Sequence, residues 1–409
     1  TTSTSALSAV VVNMLTFVLV LNQFLDSSTS SIPRSPSSRS LADIVVYGAT
    51  PSGCIAAIAA ARTRPNVTVM LIEPSPYRVG GMTSGGLGHT DTGDARVIGG
   101  ITKEFYQRVS TFYTGQSRNK TTGSGPQCHN VESHVAQQVY TVMLVEAGVA
   151  VKLGWRVIAA QKQHTQISQI TLELTPRRTH SHSHTMTTAK KSTQPTQPTQ
   201  PTSQPAQPIQ PTQPTQTTTV SALTFIDASY EGDLMALATA SHTVGRESQH
   251  QYNESHAGRL APNYGIARYQ FQRPVNGRDD DGNLLPLVYA GPVGVVGSAD
   301  EKVESYCYRP CMSRISGGRA VLPLAPQNYT ASQWQLFRNL FAAHPDKAYN
   351  ITDFLMLAGP LGNSSGLSSK YDGSSNGAID LDVVGASWQY PNANYTTREQ
   401  IVNDHAEYT

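Results

Sequence analysis

The stretch ADIVVYGATPSGCIAAIAAARTRPNVTVMLIEP, residues 42–74, limits the fold of this chain more than any other segment. Asp43 to Tyr47 contains Ile-Val-Val, the continuous apolar run of a parallel strand buried on both faces. Gly48 permits the tight turn that follows. Ser52 opens a helix, SGCIAAIAAAR, in which Gly53 and the alanines let helix and strand approach closely. NVTVMLIEP reads as a second strand closed by Glu73. Together these make a βαβ unit whose helix N-terminus offers unbonded N–H groups and a positive dipole end to a pyrophosphate. Glu73, twenty residues after Gly53, is placed to accept both hydroxyls of an adenosine ribose. The dinucleotide fingerprint Gly-x-Gly-x-x-Gly is incomplete, because Thr50 stands at the second glycine position and leaves Pro51 and Ser52 to shape the turn.

A second glycine loop follows directly, in PSPYRVGGMTSGGLGHTDTGDARVIGG. Gly80-Gly81 and Gly85-Gly86 flank Met82-Thr83-Ser84, a loop able to run its amides along phosphate or ribityl oxygens. A nicotinamide dehydrogenase does not need this loop. The pair of motifs resembles the FAD-dependent oxidoreductases that open with Gly-x-Thr-Pro-x-Gly and continue with Gly-Gly-Met-Thr-x-Gly-Gly-Leu-Gly. These are distant relatives of the glutathione reductase and fumarate reductase flavoproteins, and some carry the label xanthan lyase. Thr-Pro is the usual form in that family, which accounts for Thr50. FIDASYEGDLMALA, residues 225–238, is similar to the family's next FAD segment, with Asp233 expected to cap the helix after it. TVGRES, ESYCYRPCMS and WQYPNANYTTREQIVNDHAEYT extend the resemblance to about Thr409.

The resemblance implies FAD as cofactor. It implies contacts from Gly48, Thr50, Pro51, Ser52, Gly53, Glu73, Gly80, Gly81, Met82, Thr83, Gly86 and Ala228, together with the backbone of Val157 at an adenine edge. FAD performs the hydride chemistry itself, so the protein need supply only orientation, a proton acceptor and charge near the flavin ring. His89 and Asp91 are the nearest titratable pair; His89 reads as a base, a point of covalent flavin attachment or a hydrogen-bonded structural residue. Arg246 and Arg309 read as clamps for an anionic substrate or as members of structural ion pairs. His180, His182 and His184 alternate, but no cysteine or carboxylate cluster accompanies them, so they read as a solvated loop and no metal site is expected.

At 409 residues the chain has room for two or three domains. A formal charge of +2 leaves no field suited to a nucleic-acid backbone. MLTFVLVLNQFL, residues 14–25, resembles the apolar core of a secretory signal, and membrane contact is expected only if that segment stays as an anchor. Sequons at Asn66, Asn119, Asn253, Asn328, Asn350, Asn363 and Asn394 fit a secreted or secretory-pathway glycoprotein. Cys54 reads as a core residue and Cys128 as a loop residue, while Cys307 and Cys311 form either one bridge or two buried thiols. Residues 176–219, where Gln-Pro recurs nearly every third residue, have almost nothing apolar to bury; they read as a disordered insertion at the tip of a hairpin. Residues 111–134, rich in Ser, Thr, Gly and Asn, read as a surface loop.

The expected architecture is α/β: a discontinuous doubly wound FAD-binding domain over 42–240 with an inserted mixed α/β substrate domain over 241–409, behind a leader over 1–41. In the family resembled, a Gly/Ala-rich helix returns to face the flavin after the substrate domain; no such run occurs between Gly245 and Thr409, so the chain is expected to be truncated at its C-terminus. Three functional classes follow: an FAD-dependent oxidoreductase acting on a small organic or carbohydrate-like substrate, a polysaccharide lyase-like enzyme, or a non-catalytic flavoprotein module. The sequence leaves the oligomeric state open.

Overall fold

The structure, a computed structural model, describes residues 40–64, 66–90, 94–114, 130–176, 216–261, 271, 273–286, 288–292, 294–313, 330–349, 355–358, 370–375, 379 and 381–408. The expectations for the leader up to residue 39, Asp91, Cys128, the three alternating histidines and the sequons at Asn119, Asn328, Asn350 and Asn363 lie outside these residues.

The chain begins with β1 (Ser40–Tyr47), α1 (Pro51–Thr63) and β2 (Val69–Glu73), the predicted βαβ unit, with β1 and β2 parallel in the register Val46↔Leu71. Helix α1 starts one residue before the predicted Ser52. Pro51 occupies its first turn, where a missing N–H costs nothing, and Thr50 is the N-cap. The short α2 (Gly81–Gly85) and the longer α3 (Gly100–Thr114) and α4 (Ser133–Glu146) come next. Residues 111–114 and 133–134, predicted as loop, thus belong to helices, because Phe112 and Tyr113 extend a helical face and Ser133 leads into the apolar run of α4.

Strand β3 (Ala150–Leu153) adds to β2 in parallel. Strands β4 (Trp155–Gln163), β5 (Gln166–Leu174) and β6 (Thr217–Asp227) form an antiparallel meander, and the sheet order is β3-β2-β1-β6-β5-β4. The pairing Glu173↔Thr217 and the Leu174 N–H bond to Gln216 O (2.9 Å) join β5 and β6 as a hairpin around the Gln-Pro stretch, as predicted. Thr217, Thr218 and Thr219, predicted as part of the disordered insertion, instead belong to β6, because β-branched threonines suit the ladder opposite Glu173, Leu172 and Thr171.

Alternation along β1 sends Val46 to one buried cluster and Val45 and Tyr47 to the other. The first cluster packs β1 and β2 against α1, α3 and α4, with Ala57, Ile58, Phe105, Tyr140 and Met143 at its centre. The second closes beneath the meander through Val157, Ile170, Leu172 and Val220, joined by Leu234 of α5 (Asp233–Leu237).

Beyond residue 240 the described elements are α6 (Gln249–Tyr252), β7 (Cys311–Ser313), α7 (Gln335–Ala343), β8 (Leu355–Ala358), β9 (Lys370–Ser375) and α8 (Tyr395–Tyr408). A small antiparallel sheet takes the order β7-β9-β8. Cys307 and Cys311 are not bridged to each other, and Cys311 is exposed rather than buried. Cys54 is a core residue as expected, its thiol pushed up to about 12 by burial. Asn66, Asn253 and Asn394 lie on the surface.

Candidate functional site

The C-terminal ends of β1 and β6 meet at one point, where Ala228 N–H donates to Tyr47 O (2.8 Å). Gly48 turns the chain there with φ +94°, and a Cβ on it would lie 2.6 Å from the Ser229 nitrogen. Gly53 in the first turn of α1 is tighter still: a Cβ would sit 1.9 Å from Gly48 O and 3.1 Å from the Ala228 Cβ. Both positions therefore exclude any side chain, and the helix end presses against the strand pair.

Thr50 explains how the turn works without its second glycine. Its hydroxyl accepts from Gly53 N–H (3.1 Å) and donates to Ala228 O (2.7 Å), so one buried side chain caps α1 and fastens it to β6. Glu73 closes the pocket from β2. Its Oε2 accepts from Ala49 N–H (2.6 Å) and its Oε1 from Ser75 N–H (2.8 Å). Burial raises the Glu73 carboxyl above its ordinary value, opposed by those two N–H donors. Each carboxylate oxygen keeps a second lone pair, the capacity a ribose diol needs.

The second glycine loop docks on the first. Gly80, at φ +91°, donates its N–H to Ala49 O (2.7 Å). Gly81 packs so closely that a Cβ would lie 2.3 Å from the Tyr230 Oη and 3.0 Å from the Thr50 Cα. Met82 is exposed, and its N–H donates to the Tyr230 hydroxyl (2.7 Å). Thr83 follows half-buried, and Gly86 ends α2 at φ +133°. Among the described residues the buried Ser84 hydroxyl has no hydrogen-bond partner.

The structure therefore brings Gly48, Thr50, Pro51, Ser52, Gly53, Glu73, Gly80, Gly81 and Ala228 together, with Met82, Thr83 and Gly86 on the adjoining loop. Val157 is engaged differently. Its N–H donates to Tyr47 Oη (3.2 Å) and its carbonyl accepts from the Tyr395 hydroxyl (2.8 Å), so both backbone groups are taken within the protein.

Arg309 comes to the loop: its Cβ and carbonyl oxygen would lie 3.3 Å from a Cβ on Gly86. Arg246 instead forms a bidentate pair with Asp300, Nε to Oδ1 at 2.9 Å and Nη2 to Oδ2, the structural ion pair that its sequence left open. His89 Nδ1 is bonded to Asn130 Oδ1, across an isolated β-bridge between the two residues.

Three residues were missed in the sequence reading. Tyr230 clasps the second loop, and Asp227 rather than Asp233 caps α5, accepting from Met235 N–H (2.8 Å). Asp233 instead forms an ion pair with Arg398 (2.8 Å), a residue of α8 that no local signal marks.

A dinucleotide fits this cleft: two glycines reject any Cβ at the turn, a half-buried carboxylate keeps lone pairs for a diol, and a buried hydroxyl in the second loop has no partner among the described residues. The family model described as FAD dependent oxidoreductase matches residues 43–186 and 193–409. No curated protein matches the chain in sequence. Among solved structures, the myxobacterial chondrochloren halogenase is similar at 14% identity and TM-score 0.28, over 46% of this chain and 37% of that one. A flavin-dependent brominase is similar at 15% identity and TM-score 0.30, over 51% and 43%. The glycerol-3-phosphate dehydrogenase from Bacillus halodurans complexed with FAD is similar at 10% and 0.28, over 53% and 42%. The chain thus spans less than half the length of each of these three proteins.

Proposed function

The chain belongs to the FAD-dependent oxidoreductases, and from that premise we propose that it is an enzyme that holds FAD at the junction of β1, α1, β2 and β6 and uses it to oxidise a small organic or carbohydrate-like substrate. The observation that carries the reading is the turn at Gly48 to Gly53, where backbone contacts exclude a Cβ while Thr50 caps the helix end. Such a turn is expensive to build and useless to a merely structural βαβ unit.

FAD, when bound, supplies the acceptor for the substrate's electrons. The protein supplies position. The positive dipole end of α1 faces the pyrophosphate, and Glu73 accepts from the ribose. Ser84 and Thr83 carry hydroxyl groups along the second loop. Arg309, beside Gly86, orients an anionic or hydroxylated substrate. His89, held by Asn130 through Nδ1, is the base in this reading. Residues 241–409 provide the substrate-binding part in this reading, and the apolar leader directs the chain into the secretory pathway.

The direct test is to purify the chain, titrate it with FAD, and release and quantify the flavin after denaturation. One FAD per chain is expected. A colourless protein whose spectrum and melting temperature do not respond to FAD would overturn the reading.

A further inference from the structure

Tyr230 sits where three parts of the cleft meet: the turn after β6, the first glycine turn and the second glycine loop. Asp227 pins the turn that carries it, accepting from Ser229 N–H (2.9 Å), the Ser229 hydroxyl (2.6 Å) and Met235 N–H (2.8 Å). From that fixed base the phenol reaches across 148 residues of sequence to take Met82 N–H (2.7 Å). A Cβ on Gly81 would lie 2.3 Å from the Tyr230 Oη and 3.0 Å from the Thr50 Cα. The missing side chain of Gly81 therefore makes room for this hydroxyl as well as for the helix end.

A phenol both accepts and donates. Met82 N–H fills one accepting position, and among the described residues nothing accepts the Tyr230 proton. The ring is 51% exposed, while its hydroxyl end is tucked against Gly81 and Met82. Burial raises the phenol above its ordinary value; Met82 N–H opposes the rise, and the Glu73 and Glu231 carboxylates add to it. The proton therefore stays on the oxygen at neutral pH and is available to a ligand. The residues that surround this oxygen, Thr50, Gly81 and Met82, are among those assigned to FAD above.

We propose that Tyr230 is a further cofactor-positioning residue: it fixes the second glycine loop through Met82 N–H and gives its own proton to an oxygen of bound FAD. This rests on the assignment of FAD to the β1–β6 junction. It adds a contact that neither glycine motif announces, and it makes the shape of the second loop depend on a side chain from the turn after β6.

The test removes one oxygen. Tyr230→Phe in the full chain is expected to weaken FAD binding, measured by flavin fluorescence, about five- to tenfold, the loss of one hydrogen bond to the ligand. The melting temperature of the cofactor-free protein should stay close to that of the parent. Without any flavin, amide hydrogen exchange over residues 80–86 should be faster in Tyr230→Phe than in the parent, because Met82 N–H has lost its acceptor. Gly81→Ala should weaken FAD binding more in the parent than in the Tyr230→Phe background, where the oxygen that the new methyl would strike is gone. Equal FAD affinity in a folded Tyr230→Phe protein would overturn the proposal, as would unchanged exchange over residues 80–86. So would a loss of affinity that only follows a fall in melting temperature, which would make the tyrosine a packing residue. A parent chain that binds no FAD, with the difference in exchange intact, would instead overturn the cofactor assignment itself.

Discussion

Up to Ala238, apolar side chains close two large clusters on opposite faces of one sheet, reaching from Val45 and Val46 through Leu71 and Ile72 to Leu172 and Leu234. Beyond Gly245 the described residues bury a cluster of only Leu285, Leu336, Leu340 and Ile379. Ion pairs occur in both regions: Arg62 and Arg108 with Glu104 and Arg156 with Glu173 in the first, Arg246 with Asp300 and Arg273 with Asp346 in the later one, and Arg398 with Asp233 between them. The difference teaches where precision comes from. Close packing fixes backbone position to fractions of an ångström, which a glycine turn without room for a Cβ requires. Exposed ion pairs such as Arg273 with Asp346 contribute little and allow movement. Among the ion pairs of the described residues, Arg398–Asp233 is the best shielded from water, and it joins the two regions.

Arg398→Ala is the sharpest way to break this contrast. It strands the Asp233 carboxylate against α5 and should cost about 3–5 kcal/mol, read as a fall in melting temperature. Arg273→Ala, at an exposed pair, should cost less than about 1 kcal/mol. Similar losses from both would mean that the later region does not lean on its docked helix.

Glycine replacement probes the other side of the comparison. In Gly53→Ala the new methyl meets Gly48 O, and the backbone must shift; about 1–3 kcal/mol of stability and most of the FAD affinity should be lost. Gly277→Ala in the later region meets only Val288 at ordinary contact distance, so it should be nearly silent. A stable, flavin-loaded Gly53→Ala would show that the turn is not packed as described.

A subtler effect is expected at the seam, where Tyr306 donates to Glu231 (3.4 Å). Burial raises the Glu231 carboxyl, opposed chiefly by Arg398. A raised folded value gives stability that is present below the unfolded pKa of about 4.3 and lost as pH rises through the folded value. Glu231→Gln keeps an acceptor for Tyr306 and removes the buried charge. The variant should therefore melt above the parent at pH 7.5, with the gap closing toward pH 4; a gap that does not change over that range would assign its origin to packing.

Deleting residues 193–214 should matter least. The flanking strands β5 and β6 already pair, and halving a loop changes closure entropy by only about 0.6 kcal/mol. A large fall in melting temperature would mean that the insertion packs on the core.

How much of this was legible in the sequence follows from separation along the chain. The Ala49–Glu73 bond spans 24 residues, the length of one βαβ unit, and its glycines, alanines and closing acid announce it without any other part of the protein. The hairpin around the Gln-Pro insertion was legible for a similar reason, since two strand-like runs flank a segment that cannot form a core. The Tyr230–Met82 bond spans 148 residues and the Arg398–Asp233 pair 165. A tyrosine and an arginine in polar surroundings look alike whether they end in solvent or in a cleft. The sequence by itself therefore determined the nucleotide-binding unit, because steric rules act between near neighbours. The clasp on the second loop and the docking of α8 through Arg398 were decided only by the tertiary structure, because burial, which gives those side chains their partners, is a property of the packed chain.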